Sequence, residues 1–322
     1  MKLLLIDAAA VKKLIDLPTA IEAVEAAFAA FGRGEARMPS KLYLDVPEGD
    51  FRAMPAYLPG AAGVKWINVH PNNPSRNDLP TVMGLILLND PLTGQPLALI
   101  DGTLITSYRT GAAAAVATRR LARPEAKTLA LVGCGGQALS HLRALTSVMT
   151  PETIFLVDAR RENAQRLADK FPQFAIEVCG LAELGHACEA DVISTLTPSR
   201  GPIVLREWIR PGTHINAIGA DAPGKQELEI ALLFAARIYV DDWAQASHSG
   251  EINVAYSQGR LKTVAGTLPD LIVGKAEGRT SPEQITIFDS TGLAIQDLAL
   301  ARIVYEQARL RHEGLEIEFK MG

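Results

Sequence analysis

Apolar residues near the start of the chain follow a strand pattern and then a helix pattern. Residues 2–6 form a short apolar run that meets Asp7, which predicts a first strand followed by a helix. A second helix opens at residues 17–19, where a proline is well tolerated because the first helical turn needs no donor at that position. Apolar residues share one face of this helix, which is expected to end near Gly32 and Gly34.

Between Lys41 and Ile100 the pattern changes to short alternating or apolar runs broken by proline and glycine. These runs, among them KLYLDV, VKWINVH and VMGLILLND, predict a meandering and partly antiparallel sheet. The Ala-rich segment from Ile105 to Leu121 then predicts a helix whose first turn includes Arg109 and Thr110.

From Lys127 onward, short apolar runs alternate with helical segments, which is typical of a parallel sheet wrapped by helices. The predicted strands are Thr128–Val132, Thr153–Val157, Val192–Thr195, His214–Ala217, Ile238–Val240 and Ile285–Phe288. Six such strands complete a doubly wound sheet. The apolar pattern after Phe288 predicts a long helix that runs back to the first domain.

These elements predict an α/β protein of two domains, and a length of 322 residues fits that number. The doubly wound sheet occupies residues 119–298, and an α+β domain is built from both chain ends, residues 1–118 and 299–322. Hydrophobic residues make up 48% of the chain and charged residues 21%, which is typical of a globular protein with large cores.

Charge and cysteine content exclude several classes of function. The net charge of −4 provides no broad positive field for nucleic acid. The three cysteines are an odd number without paired spacing, so we expect neither a disulfide framework nor a zinc or other metal cluster. No apolar run reaches the roughly 18 residues of a membrane span. We therefore expect a cytoplasmic protein without a membrane or nucleic-acid partner.

The strongest chemical signal is a glycine-rich turn after the first strand of the doubly wound sheet. Gly133, Gly135 and Ala138 form a G-x-G-x-x-A pattern between an apolar strand and an amphipathic helix. Small residues let the backbone approach a pyrophosphate, whose charge is stabilised by the free amides of the helix N-terminus. Asp158 ends the next predicted strand about 20 residues further on, where an acid binds the adenosine ribose. The segment therefore predicts a Rossmann dinucleotide site.

Asp158 favours NAD over NADP, because a carboxylate accepts hydrogen bonds from a free ribose diol and repels an added 2′-phosphate. Arg160 and Arg161 follow it and could attract that phosphate, so NADP stays open as the alternative.

Four cations outside the glycine turn are candidates for binding a carboxylate. Lys41, Arg52, Lys65 and Arg109 lie in short, otherwise apolar or turn-rich stretches. Each alone is expected on the surface, but four in such settings predict a site for a small acid.

A series of motifs carries a resemblance that runs along essentially the whole chain. They are RAMPAYL at 52–58, GVKWINVHPNNP at 63–74, LPTVMGLILLND at 79–90, SYRTGAA at 107–113, GTHINAIGADAPGKQEL at 212–228 and IFDSTGLAIQD at 287–297. With them the chain resembles the ornithine cyclodeaminase and mu-crystallin family, and within it most resembles the archaeal type of alanine dehydrogenase.

The resemblance implies a homodimer whose first domain binds the substrate and pairs the subunits, while the Rossmann domain binds the nicotinamide cofactor. By matching positions, Lys65 is similar to the residue that contacts the substrate and exchanges its proton, and Arg109 to a carboxylate clamp. Lys41 and Arg52 would line the same pocket. Asp221 matches the acid at the nicotinamide edge, where it can relay a proton or stabilise an iminium.

The cofactor contacts that the resemblance and the glycine motif together imply form one set. They are Thr81, Arg109, Thr110, Gly133, Gly135, Gly136, Gln137, Ala138, Asp158, Arg160, Thr197, Ile218, Asp221, Lys225 and Ser290.

One departure separates this chain from the ornithine cyclodeaminases that it resembles. These usually carry a glutamate before the x-Met-Pro, and here that position is Arg52. An arginine would repel the side-chain ammonium of ornithine, at a cost on the order of 4 kcal/mol at ~4 Å and intermediate dielectric. Cyclodeamination of ornithine is therefore disfavoured.

Three classes of function remain open at this point. The first is an NAD-dependent amino-acid dehydrogenase, with alanine and pyruvate as the best pair, and the second is a reductase of cyclic imines such as pyrroline-2-carboxylate. The third is a non-enzymatic, crystallin-like binder of small ligands. Because Lys65, Arg109 and Asp221 occur together, we expect an oxidoreductase that acts on CH–NH2 or CH–NH donors.

Overall fold

The computed structural model describes residues 2–320. They divide into two compact units, one formed by residues up to 109 together with those from 293 onward, and the other by residues 110–292. We call these the terminal unit and the central unit. The sequence placed the domain boundaries at 118/119 and 298/299, inside the helices 102–121 and 294–311. The unit boundary at 109/110 also lies inside the first of these helices, and the one at 292/293 lies just before the second.

The strands are numbered β1 to β15 in chain order. They are β1 Lys2–Ile6, β2 Leu42–Val46, β3 Gly49–Leu58, β4 Ala61–Val69, β5 Val82–Asn89, β6 Pro96–Asp101, β7 Thr128–Val132, β8 Thr153–Val157, β9 Ile176–Cys179, β10 Val192–Thr195, β11 His214–Ala217, β12 Ala236–Val240, β13 Gly266–Thr267, β14 Ile285–Asp289 and β15 Leu315–Glu318.

The α-helices are numbered α1 to α12 in the same way. They are α1 Ala8–Leu14, α2 Leu17–Gly32, α3 Asn73–Arg76, α4 Gly102–Leu121, α5 Ala138–Val148, α6 Arg161–Ala168, α7 Leu184–Ala187, α8 Ile230–Ala235, α9 Trp243–Ser249, α10 Asn253–Ser257, α11 Leu268–Ile272 and α12 Ala294–Arg311. Of these, β1, α1 and α2 confirm the predicted order at the start of the chain.

The sheet of the terminal unit has the order β15-β1-β6-β5-β4-β3-β2. Strands β2 to β6 form the predicted antiparallel meander, whereas β1 pairs with β6 in parallel. The last strand, β15, pairs with the first, so both chain ends build this sheet, as predicted. The long C-terminal helix α12 packs against α2 and against β3, β4 and β5. One sheet face is thereby covered.

The sheet of the central unit is parallel throughout, with the order β13-β12-β14-β11-β10-β7-β8-β9. All six predicted strands occur, which confirms the doubly wound fold, but the sheet has eight strands. The prediction missed β9 and β13, which form the two edges. The order in which the strands are added reverses between β7 and β10, and ligands of such sheets bind at the carboxyl ends of the strands beside that point.

Helix α4 begins at Gly102, before the predicted start at Ile105. Arg109 and Thr110 therefore lie about two turns inside the helix and not in its first turn, because the helix follows β6 without a loop. Residues 112–117 are fully buried. At Gly111 an added Cβ would lie 2.8 Å from the carbonyl oxygen of Ser140, so the glycine allows a close approach of α4 and α5.

Between residues 2 and 320, none of the helices combines the length and the apolar character that crossing a bilayer requires.

Candidate functional site

Two of the predicted cations, Arg52 and Lys65, lie on the covered face of the terminal sheet. Successive side chains of a strand point to opposite faces. In the β3–β4 register Arg52 lies opposite Ile67 and Lys65 opposite Met54, which places both cations on the same face. Only 6% of Arg52 and 2% of Lys65 are exposed, so two charged groups are buried here. Buried cations require partners.

The partner of Lys65 is Asp297 in the first turns of α12. The Lys65 Nζ lies 2.7 Å from Asp297 Oδ2, and both side chains are 1% exposed. The same carboxylate contacts a second cation, because Arg109 Nε lies 3.2 Å from Asp297 Oδ1. Two neutral groups complete the contacts, since Thr106 Oγ1 accepts from Lys65 at 3.2 Å and Gln296 Oε1 from Arg109 at 3.3 Å. We call Lys65, Arg109, Asp297 and their two neutral partners the lysine cluster.

Burial lowers the pKa of Lys65 to about 7, because the charged ammonium loses its hydration. Asp297 opposes this effect and raises the pKa, while the positive charges of Arg109 and Lys41 lower it further. A lysine with a pKa near neutrality can both donate and accept a proton under ordinary conditions.

Arg52 forms an ion pair with Asp50, so it is not an isolated positive charge. Its Nε donates to Asp50 Oδ1 at 2.6 Å and its Nη2 to Oδ2 at 3.2 Å, and its guanidinium lies 5.2 Å from the ring centre of Tyr43. Because Asp50 offsets the charge of Arg52, the repulsion of a side-chain ammonium of ornithine is weaker than the energy expected for a lone arginine.

The predicted cofactor contact Thr81 lies just before β5, where its carbonyl accepts from the amide of His70.

In the central unit, the glycine turn leaves open space above its backbone. Gly133 has φ +100°, and an added Cβ would lie 3.0 Å from the backbone of Leu196, so a side chain does not fit there. At Gly135 and Gly136 an added Cβ would meet nothing within 4 Å. Helix α5 follows with Ala138 in its first turn, and no side chain of the described residues caps it. The amide of Ala138 donates to the carbonyl of Gly135 at 3.1 Å, and the positive end of the helix dipole favours an anion at this N-terminus.

Asp158 follows β8 beside this turn, as predicted. Its Oδ2 accepts from the amide of Cys134 at 2.8 Å, and its Oδ1 from the amide of Arg160 at 2.8 Å and from Asn163 Nδ2 at 3.1 Å. The half-buried carboxylate is thus oriented by both the glycine turn and the start of α6. Arg160 is exposed at that helix start.

Three further predicted contacts follow the carboxyl ends of neighbouring strands. Thr197, Ile218 and Ser290 come after β10, β11 and β14. Ser290 is 2% exposed, and its hydroxyl has no hydrogen-bond partner among the described residues. The same holds for the buried Oε1 of Gln137 at the start of α5. Orphaned buried polar atoms require a ligand or water.

Asp221 and Lys225 form an ion pair in the loop after β11. Their side-chain atoms lie 2.5 Å apart, and the side chains are 30% and 16% exposed. Thr110, the remaining predicted contact of this unit, is 7% exposed in α4. Thirteen predicted site residues therefore lie in the central unit, and Lys41, Arg52, Lys65, Thr81 and Arg109 lie in the terminal unit.

Sequence reasoning missed two acids that organise these groups. Asp297 closes the motif IFDSTGLAIQD, where a charge inside an apolar helical pattern was the available signal. Glu227, in GKQEL, is fully buried and accepts hydrogen bonds from Thr195, Thr197 and Gly219. A lone glutamate in a loop gives no such signal in a single sequence.

The residues of the central unit fit a dinucleotide. The open turn at Gly135 and Gly136, the uncapped start of α5 and the orphaned Ser290 hydroxyl provide space, amides and a hydrogen-bonding group at the switch point of the sheet.

Comparisons with known proteins agree with this arrangement. The alanine dehydrogenase of Archaeoglobus fulgidus is 47% identical over 99% of both chains. A solved archaeal alanine dehydrogenase dimer with bound NAD superposes with a TM-score of 0.96 at 47% identity, covering 99% of this chain and 100% of that one. The Δ1-pyrroline-2-carboxylate reductase of Thermococcus litoralis, solved with NADH and L-proline, gives a TM-score of 0.93 at 34% identity, covering 98% and 100%.

The model of one protein family matches nearly the whole chain, residues 1–312. The Archaeoglobus fulgidus relative, at 47% identity, covers 99% of the chain. The chain belongs to the ornithine cyclodeaminase/mu-crystallin family.

Proposed function

We propose that this protein is an NAD-dependent alanine dehydrogenase, which interconverts L-alanine with pyruvate and ammonia. The observation that carries the proposal is the buried Lys65, paired with Asp297, which also binds Arg109, in a chain 47% identical over 99% of its length to an alanine dehydrogenase. A buried titratable lysine with a carboxylate-binding arginine beside it is suited to acid–base work on an amino acid.

The cofactor is assigned to the central unit. Gly133, Gly135 and Gly136 with the start of α5 would hold the pyrophosphate, and Asp158 the adenosine ribose. The remaining predicted contacts of this unit would complete the cofactor site. They are Thr110, Gln137, Ala138, Arg160, Thr197, Ile218, Asp221, Lys225 and Ser290. NAD supplies a nicotinamide that accepts the hydride from the substrate Cα.

The substrate is assigned to the cations of the terminal unit. Arg109 would bind the carboxylate in bidentate fashion, with Arg52 and Lys41 adding positive charge. This choice is supported by the burial of Arg109 and Arg52, since a desolvated guanidinium binds a carboxylate more strongly than an exposed one.

Lys65 and Asp221 would do the proton chemistry of the reaction. In the direction of alanine oxidation, neutral Lys65 accepts the proton of the substrate ammonium, and the amine then loses hydride from Cα to become an iminium. Water adds to the iminium and its protons pass to the nitrogen, so that the carbinolamine releases the nitrogen as ammonium and leaves pyruvate. Asp221 would stabilise the positive charge that develops on the nitrogen.

Reduction of a cyclic imine is the second candidate. It is favoured by the likeness to the Thermococcus litoralis reductase, which was solved with NADH and L-proline, the reduced form of its cyclic substrate. The chemistry requires the same carboxylate clamp and the same proton donor at the nitrogen, so the described residues serve either reaction.

Steady-state assays with the purified protein separate these candidates. We expect NADH oxidation with pyruvate plus ammonia to exceed that with pyrroline-2-carboxylate in kcat/KM, and ornithine to yield no proline. A higher kcat/KM for the cyclic imine would replace the first candidate by the second. No turnover of either substrate would leave the binder as the function.

We also propose that the protein forms a homodimer through the uncovered face of the terminal sheet. Leu42, Trp66 and Leu85 lie in one row across β2, β4 and β5, and are 66%, 43% and 49% exposed. Exposed apolar patches of this kind mark interaction surfaces. The archaeal alanine dehydrogenase with TM-score 0.96 was solved as a dimer, which supports a second copy as the partner.

A further inference from the structure

Glu227 is a buried acid that the proposed reaction does not use. It is fully buried, and its carboxylate accepts four hydrogen bonds from two segments of the central unit. Oε1 accepts from the amide of Thr197 at 2.7 Å and from its hydroxyl at 2.8 Å. Oε2 accepts from the hydroxyl of Thr195 at 2.6 Å and from the amide of Gly219 at 2.8 Å. Because four donors share this one buried group, its loss would leave them without an acceptor and would lower the free energy of unfolding.

These bonds hold one loop against the carboxyl ends of β10 and β11. The carboxylate of Glu227 reaches back to the amide of Gly219, so the segment 219–227 forms a closed turn that carries Asp221 and Lys225. The same carboxylate holds the turn after β10 through Thr197. At Gly219 an added Cβ would lie 2.1 Å from the carbonyl oxygen of Thr197, so the two backbones are in close contact.

The other end of the loop is anchored independently. The amides of Glu227 and Leu228 donate to the carboxylate of Glu251 at 2.7–3.0 Å. Asn253 accepts from the amide of Gly224 at 2.9 Å and donates to the carbonyl of Lys225 at 2.8 Å. The backbone of this loop also reaches the segment after β10, because the amide of Gln226 donates to the carbonyl of Ser199 at 3.3 Å. The Glu227 side chain adds bonds to Thr195, Thr197 and Gly219, which lie at or just after the ends of β10 and β11.

A glutamine cannot take over this role although it has the same size. Each carboxylate oxygen accepts from a backbone N–H, one from Thr197 and one from Gly219. Whichever way a glutamine side chain is turned, its NH2 group faces one of these N–H groups, and that pair cannot form a hydrogen bond. The two threonine hydroxyls can donate or accept, so they do not impose this restriction.

We propose that Glu227 is a positioning residue, which holds the loop with Asp221 and Lys225 and the Thr197 turn in the arrangement that binds the nicotinamide cofactor. The inference rests on the proposed function, because it assigns these residues to the cofactor site. Glu227 does not touch the reacting atoms and acts through the backbone of the segments that it joins.

The test compares Glu227→Gln with Glu229→Gln in the full-length protein. Glu229 lies in the same segment, and its carboxylate also accepts a hydrogen bond from a backbone amide, that of Arg206 at 2.8 Å. Because this is a single bond, the side-chain oxygen of a glutamine can accept it. We expect Glu227→Gln to weaken NADH binding, measured by fluorescence titration, at least about tenfold, which is the loss that one charge-assisted hydrogen bond allows. Glu229→Gln is expected to bind NADH as the wild type does.

Hydrogen exchange provides a readout that does not depend on the cofactor. In Glu227→Gln, peptides that cover 196–199 and 219–226 are expected to exchange faster, while peptides over β7 stay unchanged. If exchange rises in these segments and the wild type does not bind NADH, Glu227 holds the two segments together, but its role in cofactor binding and the proposed function both fail.

Unchanged exchange with NADH affinity within twofold of the wild type would overturn the positioning role and leave the proposed function intact. Should Glu227→Gln fail to fold, Glu227→Asp is measured in the same way. It keeps the charge, but its shorter side chain cannot reach both amides, so the same losses are expected and their absence has the same meaning.

Discussion

At the scale of single residues, Asp297 controls the charge of Lys65. The carboxylate raises the pKa of Lys65, against the lowering by burial and by Arg109. In alanine oxidation Lys65 must be neutral to accept a proton, so kcat/KM rises with pH through about 7. Asp297→Asn removes the opposing charge, and we expect this limb of the profile to move to lower pH by about one unit or more.

The measurement is the pH profile of kcat/KM for alanine at saturating NAD. Asp45→Asn is the control, because Asp45 is an exposed acid of the same sheet whose loss leaves the lysine cluster unchanged. If the limb of Asp297→Asn stays where the wild type has it, Asp297 does not set the protonation of Lys65.

The preference for NAD rests on another single residue, Asp158. Its carboxylate is positioned by the amides of Cys134 and Arg160, and a serine at this place would remove the charge that repels a 2′-phosphate. Asp158→Ser is therefore expected to lower kcat/KM with NADH about tenfold or more and to raise the NADPH to NADH ratio. Steady-state kinetics with both cofactors measure this ratio.

Asp169→Ser, an exposed change at the end of α6, serves as the control for Asp158→Ser. A wild-type protein that prefers NADPH by more than about tenfold, or ~1.4 kcal/mol, would show that the ribose-acid argument does not apply here.

The lowered pKa of Lys65 has a cause that its sequence does not show. From the sequence alone, crowding by Lys41, Arg52 and Arg109 is the cause to expect. In the structure burial is the largest cause, and two of these three cations add to it. A single sequence shows charges but not the depth at which a strand side chain is buried.

At the scale of elements, strong periodic patterns were predictable and weak ones were not. The six inner strands of the central sheet are apolar runs, and they were found with their ends correct within two residues. Strand β9 alternates in burial at one edge of the sheet and β13 has only two residues at the other, so neither produces an apolar run. Helix α4 begins earlier than expected because Gly102 directly follows β6.

The contact between α12 and β4 explains why the acid of the lysine cluster was missed. Asp297 and Lys65 lie near opposite ends of the chain, and their pairing arises only when α12 packs on the terminal sheet. The apolar pattern around Asp297 signals that this acid is buried, but an acid in the first turns of a helix is also favoured by the helix dipole, and neither feature identifies Lys65 as its partner. The cations were predicted because Lys41, Arg52, Lys65 and Arg109 lie in short, otherwise apolar or turn-rich stretches.

At the scale of the whole molecule, the uncovered sheet face predicts how two copies associate. Leu85→Glu introduces a charge into the exposed apolar row, and in a twofold interface each substitution occurs twice. We expect the dimer Kd to rise about 100-fold or more, because buried unpaired charges cost several kcal/mol. Sedimentation equilibrium or light scattering measures the mass in solution.

The control for Leu85→Glu is the same substitution at Leu92, which is 93% exposed in the turn between β5 and β6. We expect Leu92→Glu to leave the mass unchanged. A Leu85→Glu protein that remains dimeric would place the interface on another surface.

The central claim is that Lys65 transfers the proton while hydride passes between alanine and NAD. Lys65→Met keeps most of the side-chain volume and removes the ammonium, with the exposed Lys13→Met as the control. The most direct test is kcat for alanine oxidation together with NADH affinity. We predict a loss of about 100- to 10,000-fold in kcat with NADH binding intact. An unchanged kcat with only a raised KM for alanine would contradict the claim and leave Lys65 as an anchor for the carboxylate.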